Sequence, residues 1–311
     1  MDKAPIRAMQ SLAQEVWRLR PELIASEGTL GELAWLWGGG LRRKAGAWKH
    51  RVWSKGATTL AYGWAFGPIE TIISENERRT EPATLIWQTH PDTPELLDEL
   101  LDWFETVVPD AVRKTTARRV DGDALDRLQR HGYVRDDPDA PWGMLNVRAL
   151  DDIEEPSLPD GYRTLTMRDL RDDANGLARR VDVHRAAWEP SSLTVEAYED
   201  AMAAWPYRDD LDFVLEADDG TLVASALGWY DEANAVGEFE PVGTHPDYRR
   251  RGLGRALLLF GMQRFRDAGA TRAIVGCRGD PNYPIPKRLY RSVGFRELAR
   301  ELRYVRRLQP S

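Results

Sequence analysis

The feature that most constrains this chain is a short phrase that occurs twice, as Thr89-His90-Pro91-Asp92 and as Thr244-His245-Pro246-Asp247. Each copy follows an apolar, strand-like run, Ala83 to Trp87 in the first half and Val236 to Val242 in the second. Each precedes a leucine-rich segment with helical spacing. Farther on, Leu125-Asp126-Arg127-Leu128 leads into Gly132-Tyr133, and Arg288-Leu289-Tyr290 leads into Gly294-Phe295. The same order of strand, Thr-His-Pro-Asp, helix, short helix and Gly-aromatic on both sides reads as an old duplication. Between the copies, residues 151–160 are acidic, contain Pro156 and Pro159, and lack periodicity, as a linker does. The 311 residues therefore divide into two domains of ordinary length, 1–150 and 151–311, each able to bury its own core.

Local patterning fixes a fold class. In the second half Tyr162 to Met167 reads as a strand, and residues 168–188 and 194–204 read as helices, the latter opened by Thr194. Phe213 to Ala217 and Leu222 to Tyr230 flank Asp218-Asp219-Gly220, a hairpin signal. Val236 to Thr244 is the next strand, Gly254 to Ala268 a helix, Ala273 to Cys277 a buried-type strand, Ile285 to Ser292 a short helix, and Leu298 to Val305 a final strand. The sum is a mixed α/β sheet. The first half parses less sharply. Residues 1–25 read as an amphipathic helix, Val52-Trp53 with Thr59 to Phe66 as a hairpin, and 94–106 and 123–131 as helices. The run Trp35-Leu36-Trp37-Gly38-Gly39-Gly40 reads either as a loop over the site or as a turn beside the core. Of twelve tryptophans, eight precede residue 140, and a bulky core is their expected use.

Composition excludes several function classes. A net charge of −7 leaves no general basic face, so no nucleic-acid partner is expected. No run of 18 apolar residues occurs, so no membrane-spanning segment is expected. Cys277 is the sole cysteine, which excludes an internal disulfide and a cysteine-based zinc site. It has no nearby His or Lys in sequence to activate it and reads as a buried filler. His50, His90, His131, His184 and His245 lack ligand spacing, so no metal is expected. Without a signal-peptide pattern, the expected compartment is the cytoplasm.

The sharpest chemical feature is Arg249-Arg250-Arg251-Gly252-Leu253-Gly254-Arg255, between a strand and a helix. Such a turn gathers backbone N–H groups into one concavity, and the helix start adds partial positive charge. Glycines let the main chain approach a large anion. No Gly-Lys-Ser/Thr follows, so it is not a P-loop, and the dinucleotide fingerprint of three glycines is incomplete. A basic loop that merely starts a helix is the plain alternative.

With its flanks, Val242-Gly243-Thr244-His245-Pro246-Asp247-Tyr248-Arg249-Arg250-Arg251-Gly252-Leu253-Gly254 resembles the acetyl-coenzyme A signature of the GCN5-related N-acetyltransferases (GNAT), Arg/Gln-x-x-Gly-x-Gly/Ala after a central strand. Asn282 and Leu289-Tyr290-Arg291-Ser292-Val293-Gly294-Phe295 resemble the family's second motif. The resemblance covers residues 160–308, and residues 25–150 resemble a degenerate copy. It implies two GNAT-like mixed-sheet domains in tandem, with helices on both faces and a central strand splayed by a bulge. It implies acetyl-CoA as acetyl donor, with Val242, Gly243 and Thr244 pairing with the pantetheine arm. Amides from Arg250, Arg251, Gly252, Leu253, Gly254 and Arg255, beside Arg249, would hold the pyrophosphate. Asn282 would bond the pantetheine, and Tyr290 would meet the thioester sulfur and protonate the leaving thiolate. Glu238 on the central strand is the expected base, with Glu240 second; either can equally be an ordinary strand residue. Period two places Glu238, Glu240 and Val242 on one face unless a bulge intervenes.

The expected activity is direct acetyl transfer to a primary amine of a small molecule, by a monomer or homodimer. A non-catalytic acyl-CoA sensor and a peptide or protein N-acetyltransferase are the alternatives. Two departures stand out. After the first Thr-His-Pro-Asp there is no glycine pair: Pro94 stands at the position of Arg249 and Leu128 at that of Tyr290, so the amino-terminal copy should not bind coenzyme A. Pro284 and Pro286 flank Ile285, and Asn282 lies one residue farther from Tyr290 than is usual, so the 279–286 loop is expected to be reshaped.

Overall fold

The structure, a computed structural model, describes residues 3–74, 77–137 and 141–308, with the side chains at 26, 41–45 and 70–79 outside that description. The first half runs α1 (Ala4–Leu19), α2 (Leu30–Lys44), β1 (Trp48–Lys55), β2 (Thr58–Phe66), β3 (Ile69–Ser74), β4 (Glu77–Glu81), β5 (Ala83–Thr89), α3 (Leu96–Val107), β6 (Arg113–Arg118), α4 (Gly122–Arg130), β7 (Val134–Arg135) and β8 (Gly143–Ala149). The second runs β9 (Tyr162–Thr166), α5 (Gly176–Ala187), α6 (Val195–Met202), β10 (Asp212–Ala217), β11 (Leu222–Asp231), β12 (Val236–Thr244), α7 (Leu253–Asp267), β13 (Arg272–Arg278), α8 (Ile285–Ser292) and β14 (Arg296–Arg306). Helix α1 fills most of the first expected helix; Met1 and Asp2 lie outside the described residues.

The two halves repeat each other in detail. Strands β5 and β12 both end at the threonine of Thr-His-Pro-Asp. In each copy the histidine Nδ1 accepts the backbone N–H two residues on: His90 from Asp92 at 3.1 Å, His245 from Asp247 at 3.3 Å. Helices α4 and α8 end alike. Gly132 and Gly294 take φ of +76° and +85°, a left-handed turn that glycine adopts without strain. The next N–H then reaches back, Tyr133 to the Leu128 carbonyl at 2.9 Å and Phe295 to the Tyr290 carbonyl at 3.0 Å. Leu128 is thus the positional twin of Tyr290.

Twelve strands form one sheet, in the order β1-β2-β5-β6-β14-β8-β13-β12-β11-β10-β9, with β7 against β14. Strand β8, from the first half, lies between β13 and β14. Strand β14 begins on β8 and continues onto β6, so each half of the sheet is completed by the final strand of the other. The sheet runs unbroken across the boundary expected at 150. Helices α1, α2, α5 and α6 cover one face, and α3, α4, α7 and α8 the other. Trp17, Trp37, Trp48, Trp53, Trp64 and Trp87 are all buried, the use expected of them.

Two local expectations need correction. The Trp35–Gly40 run is neither loop nor turn but the middle of α2. Three glycines in a row disfavour a helix by about 1 kcal/mol each. Here two of them let α2 approach its neighbours: a Cβ at Gly38 would sit 2.5 Å from Ala201 Cα, and one at Gly40 would sit 2.6 Å from the Trp48 ring. The helix read from 168 begins only at Gly176. Asp169 accepts from Thr166 N–H at 2.7 Å and Asp173 from Asn175 N–H at 2.8 Å, and such local side-chain acceptors hold the segment in turns.

Candidate active site

Strands β12 and β13 run parallel and pair from Val236–Arg272 to Phe239–Val275, then separate. On the other edge the register of β12 against β11 slips between Ala226 and Gly228, leaving Glu240 and Pro241 unpaired. This is the expected bulge. Proline has no N–H to rejoin the ladder, and Trp229 Nε1 holds the Glu240 carbonyl at 2.7 Å. The bulge also separates the faces. Glu238 and Glu240 open toward α2, while Val242 packs into the α7 core.

Beyond the splay, the loop into α7 contains two left-handed residues, Arg250 at φ +63° and Gly252 at φ +80°. Alternation of this kind turns successive N–H groups to one side, and the first turn of α7 adds N–H groups with no helical acceptor. A Cβ at Gly252 would meet open space, so its conformation, not crowding, calls for glycine. Three arginines brace the loop. Arg249 donates to the Thr244 and Ala187 carbonyls at 3.1 and 3.2 Å. Arg251 donates to the Asp247 carbonyl and the Tyr162 hydroxyl at 2.9 and 3.0 Å. Arg255 pairs with Glu154. Arg250 is exposed and makes no ion pair among the described residues.

On the α2 side of the splay lies a cavity of about 500 Å³ between the two halves. Glu238 and Glu240 of β12, Gly276 and Cys277 of β13, and Glu27, Glu32, Lys114 and Trp142 of the first half line it. Glu238 is buried, and its carboxylate accepts from Thr29 Oγ1, from Gly31 N–H at 2.7 Å and from Glu32 N–H at 3.0 Å. It therefore caps α2 from the other half of the molecule, taking the donors that Thr29 would satisfy locally. Burial pushes its carboxyl up to about 7, against the pull of those donors. Glu240 is pushed up to about 8 by burial and by the neighbouring Glu238, while a hydrogen bond with Glu32 pulls it down. Glu32 is raised well above the usual range by burial and by Glu240.

Tyr290 is buried beneath the splay, against Phe295. Burial, then the charge of Glu240, raises its phenol well above 10, so it is protonated at neutral pH. Cys277 is partly buried, packing against the α7 core while it lines the cavity, and burial raises its thiol, with Asn146 Nδ2 3.4 Å from the sulfur. Asn282 is exposed in the turn before α8. Of the expected residues, the structure thus gathers Glu238, Glu240 and Tyr290 at the splay and places residues 249–255 on the turn beyond it.

Sequence reasoning missed the contribution of the first half: Glu27, Glu32, Lys114 and Trp142. One signal was present. Thr29-Leu30-Gly31-Glu32 has the spacing of a capping box and marks a helix start. The amino-terminal copy has a splay too, since β5 and β6 pair only from Ala83 to Leu85. There the buried Trp87 indole donates to the Thr116 carbonyl at 3.1 Å and fills the gap. Leu128 is fully buried in its core.

Residues 178–295 match the family model described as the Acetyltransferase (GNAT) family. Among curated proteins, the mycothiol acetyltransferase of Streptomyces bingchenggensis is 31% identical over 160 residues, 51% of this chain and 51% of that protein. That of Thermobispora bispora is 31% identical over 183 residues, 54% and 60% respectively. The chain thus spans about half the length of the curated relatives it matches. Among solved structures, a GCN5-related N-acetyltransferase from Sphaerobacter thermophilus aligns at TM-score 0.62 and 18% identity over 99% of this chain and 94% of that one. A tandem GNAT protein from the clavulanic acid biosynthesis pathway aligns at 0.60 and 15% over 100% and 97%. The resemblance in fold is borne out along the whole chain. No helix among the described residues is long and apolar enough to cross a membrane.

Proposed function

Because residues 178–295 match the GNAT family model, we propose that this protein transfers an acetyl group from acetyl-CoA to the primary amine of a small molecule, the amine lying in the cavity between the halves. One observation carries the reading. The separation of β12 from β13 joins an N–H-lined turn on one side to an acidic cavity on the other. Residues 250–255 fit a diphosphate through backbone N–H groups, and Arg250 adds an unbraced positive charge. Val242, Gly243 and Thr244 offer strand groups to an amide-rich arm, and Asn282 offers a side-chain amide. Bound acetyl-CoA would supply the acyl thioester and a thiol leaving group.

The chain's own groups then divide the proton work. Glu240 takes a proton from the ammonium, freeing the lone pair that forms the new C–N bond as the C–S bond breaks. Tyr290 gives its phenol proton to the departing sulfur. Glu238 holds α2 in place and raises Glu240 by its charge; with both oxygens occupied by three donors, it is the weaker candidate for base. Once ionised, Glu240 gives a cationic acceptor a counter-charge in the cavity.

Calorimetry with coenzyme A, followed by thiol release with a panel of amines, tests the reading; binding with no turnover on any amine would reject it. Tyr290→Phe should keep coenzyme A affinity and lower the rate about 100-fold, the scale of general acid catalysis. Unchanged turnover removes Tyr290 from the reaction. Gly252→Ala forces a side chain into a left-handed turn at about 1–2 kcal/mol and shifts the N–H array, so coenzyme A affinity should fall about tenfold in the same calorimeter.

A further inference from the structure

A second chamber, of about 270 Å³, lies beside the acidic cavity and shares Trp188 with it. Its walls include Trp35, His184, Trp188, Leu193 and the serines Ser191 and Ser192, and no carboxylate lines it among the described residues. The rings form two sets: Trp35 and His184 centroids are 5.3 Å apart and His184 and Trp188 stack at 6.2 Å with planes 21° apart, while Trp48 and Phe66 meet edge to face at 6.0 Å. His184 is buried, and burial together with Arg180 pushes its imidazole down to about 3, so it stands neutral. Trp188 itself is half exposed, and its Nε1 lies 3.1 Å from where a Cβ on Gly243 would stand. The partition between the chambers therefore rests on the strand segment that follows the bulge.

We propose that this chamber is a specificity subsite that receives a neutral aromatic ring of the acceptor, whose ammonium occupies the neighbouring acidic cavity. The proposal rests on the transferase reading for the role of the ammonium, but the ring site stands on its own geometry. Aromatic walls gain from offset and edge-to-face contact with a further ring, beyond the area buried. A second ammonium gains nothing there, since no carboxylate lines the chamber among the described residues and Arg180 acts on the His184 wall. The occupant is thus an arylalkylamine rather than a polyamine, whose second ammonium would meet no carboxylate among the described residues of the chamber.

Gly39 allows a clean test. It lines the chamber, and a Cβ there meets nothing within 4 Å, so Gly39→Leu starts a side chain in open space and suits a helix better than glycine. Calorimetry of the whole protein with 3-phenylpropylamine and with n-propylamine should show the phenyl compound binding about tenfold tighter or more, and Gly39→Leu should erase that difference. Equal affinity of the two amines for the unaltered protein, or a difference that survives Gly39→Leu, overturns the subsite. Benzyl alcohol, which carries no amine, separates the two readings. Saturable binding to the unaltered protein, lost in Gly39→Leu, supports the ring site even if no amine is acetylated, in which case the transferase reading alone fails. No saturable binding of benzyl alcohol overturns the subsite directly.

Discussion

Glu240→Gln is expected to lower kcat/KM by about 100- to 1,000-fold while leaving the fold intact, because glutamine keeps the shape and loses the proton acceptor. The pH profile gives the sign. A base works only when deprotonated, so kcat/KM of the unaltered protein should rise through a limb near pH 8, the value to which Glu240 is pushed. The variant should lose that limb. Glu238→Gln removes the like charge beside Glu240 and should move the limb to lower pH, with turnover retained. A thiol-release assay from pH 6 to 9.5 reads all three proteins. A limb that persists in Glu240→Gln and vanishes in Glu238→Gln would transfer the base role to Glu238.

Glu238→Ala should be the most destabilising single change at the site. It strips the acceptor from the Thr29 hydroxyl and from the Gly31 and Glu32 N–H groups at a buried helix start, leaving donors unpaired where water does not reach. The cost is about 3 kcal/mol or more, a fall of roughly 5–10 °C in Tm by scanning calorimetry. Stability also depends on pH in a defined direction. Glu238 and Glu240 stand near 7 and 8 in the folded chain against 4.5 when exposed, so the fold binds protons that the unfolded chain releases between those values. Their destabilising effect is absent below about pH 4.5 and complete above about pH 8. Tm should therefore be higher at pH 6 than at pH 8.5, and the Glu238→Gln/Glu240→Gln double variant should show a smaller difference. A Tm that rises from pH 6 to 8.5 would show these carboxyls to be ionised throughout.

Much of the site was legible because its signals are local. The loop at 249–255 needs Gly252 for its left-handed backbone, and glycine in a basic turn is a local signal. Thr194 announces α6 and does cap it, accepting from Ala197 N–H at 3.2 Å. The bulge was legible as a possibility, and Pro241 inside the strand marks where it falls. Residues 168–175 misled because their apolar spacing is helical while their aspartates bind backbone N–H groups locally. The Trp35–Gly40 run misled because its glycines answer to tertiary neighbours, Ala201 far along the chain and Trp48 on the following strand.

Sequence alone determined the duplication, the mixed α/β class, the asymmetry between a glycine-bearing and a glycine-poor copy, and the carboxylates and tyrosine at the candidate centre. Each is written in neighbouring residues, where backbone conformation and short-range periodicity leave their mark. Tertiary structure alone decided which glutamate is tied down and which is available. It made α2 part of the candidate site, filled the amino-terminal splay with Trp87, and exchanged β8 and β14 between the halves. Those outcomes depend on contacts between residues some 200 positions apart, such as Thr29 with Glu238. Burial, which sets both the cavity and the proton affinities within it, is a property of the assembled layers and of no single segment.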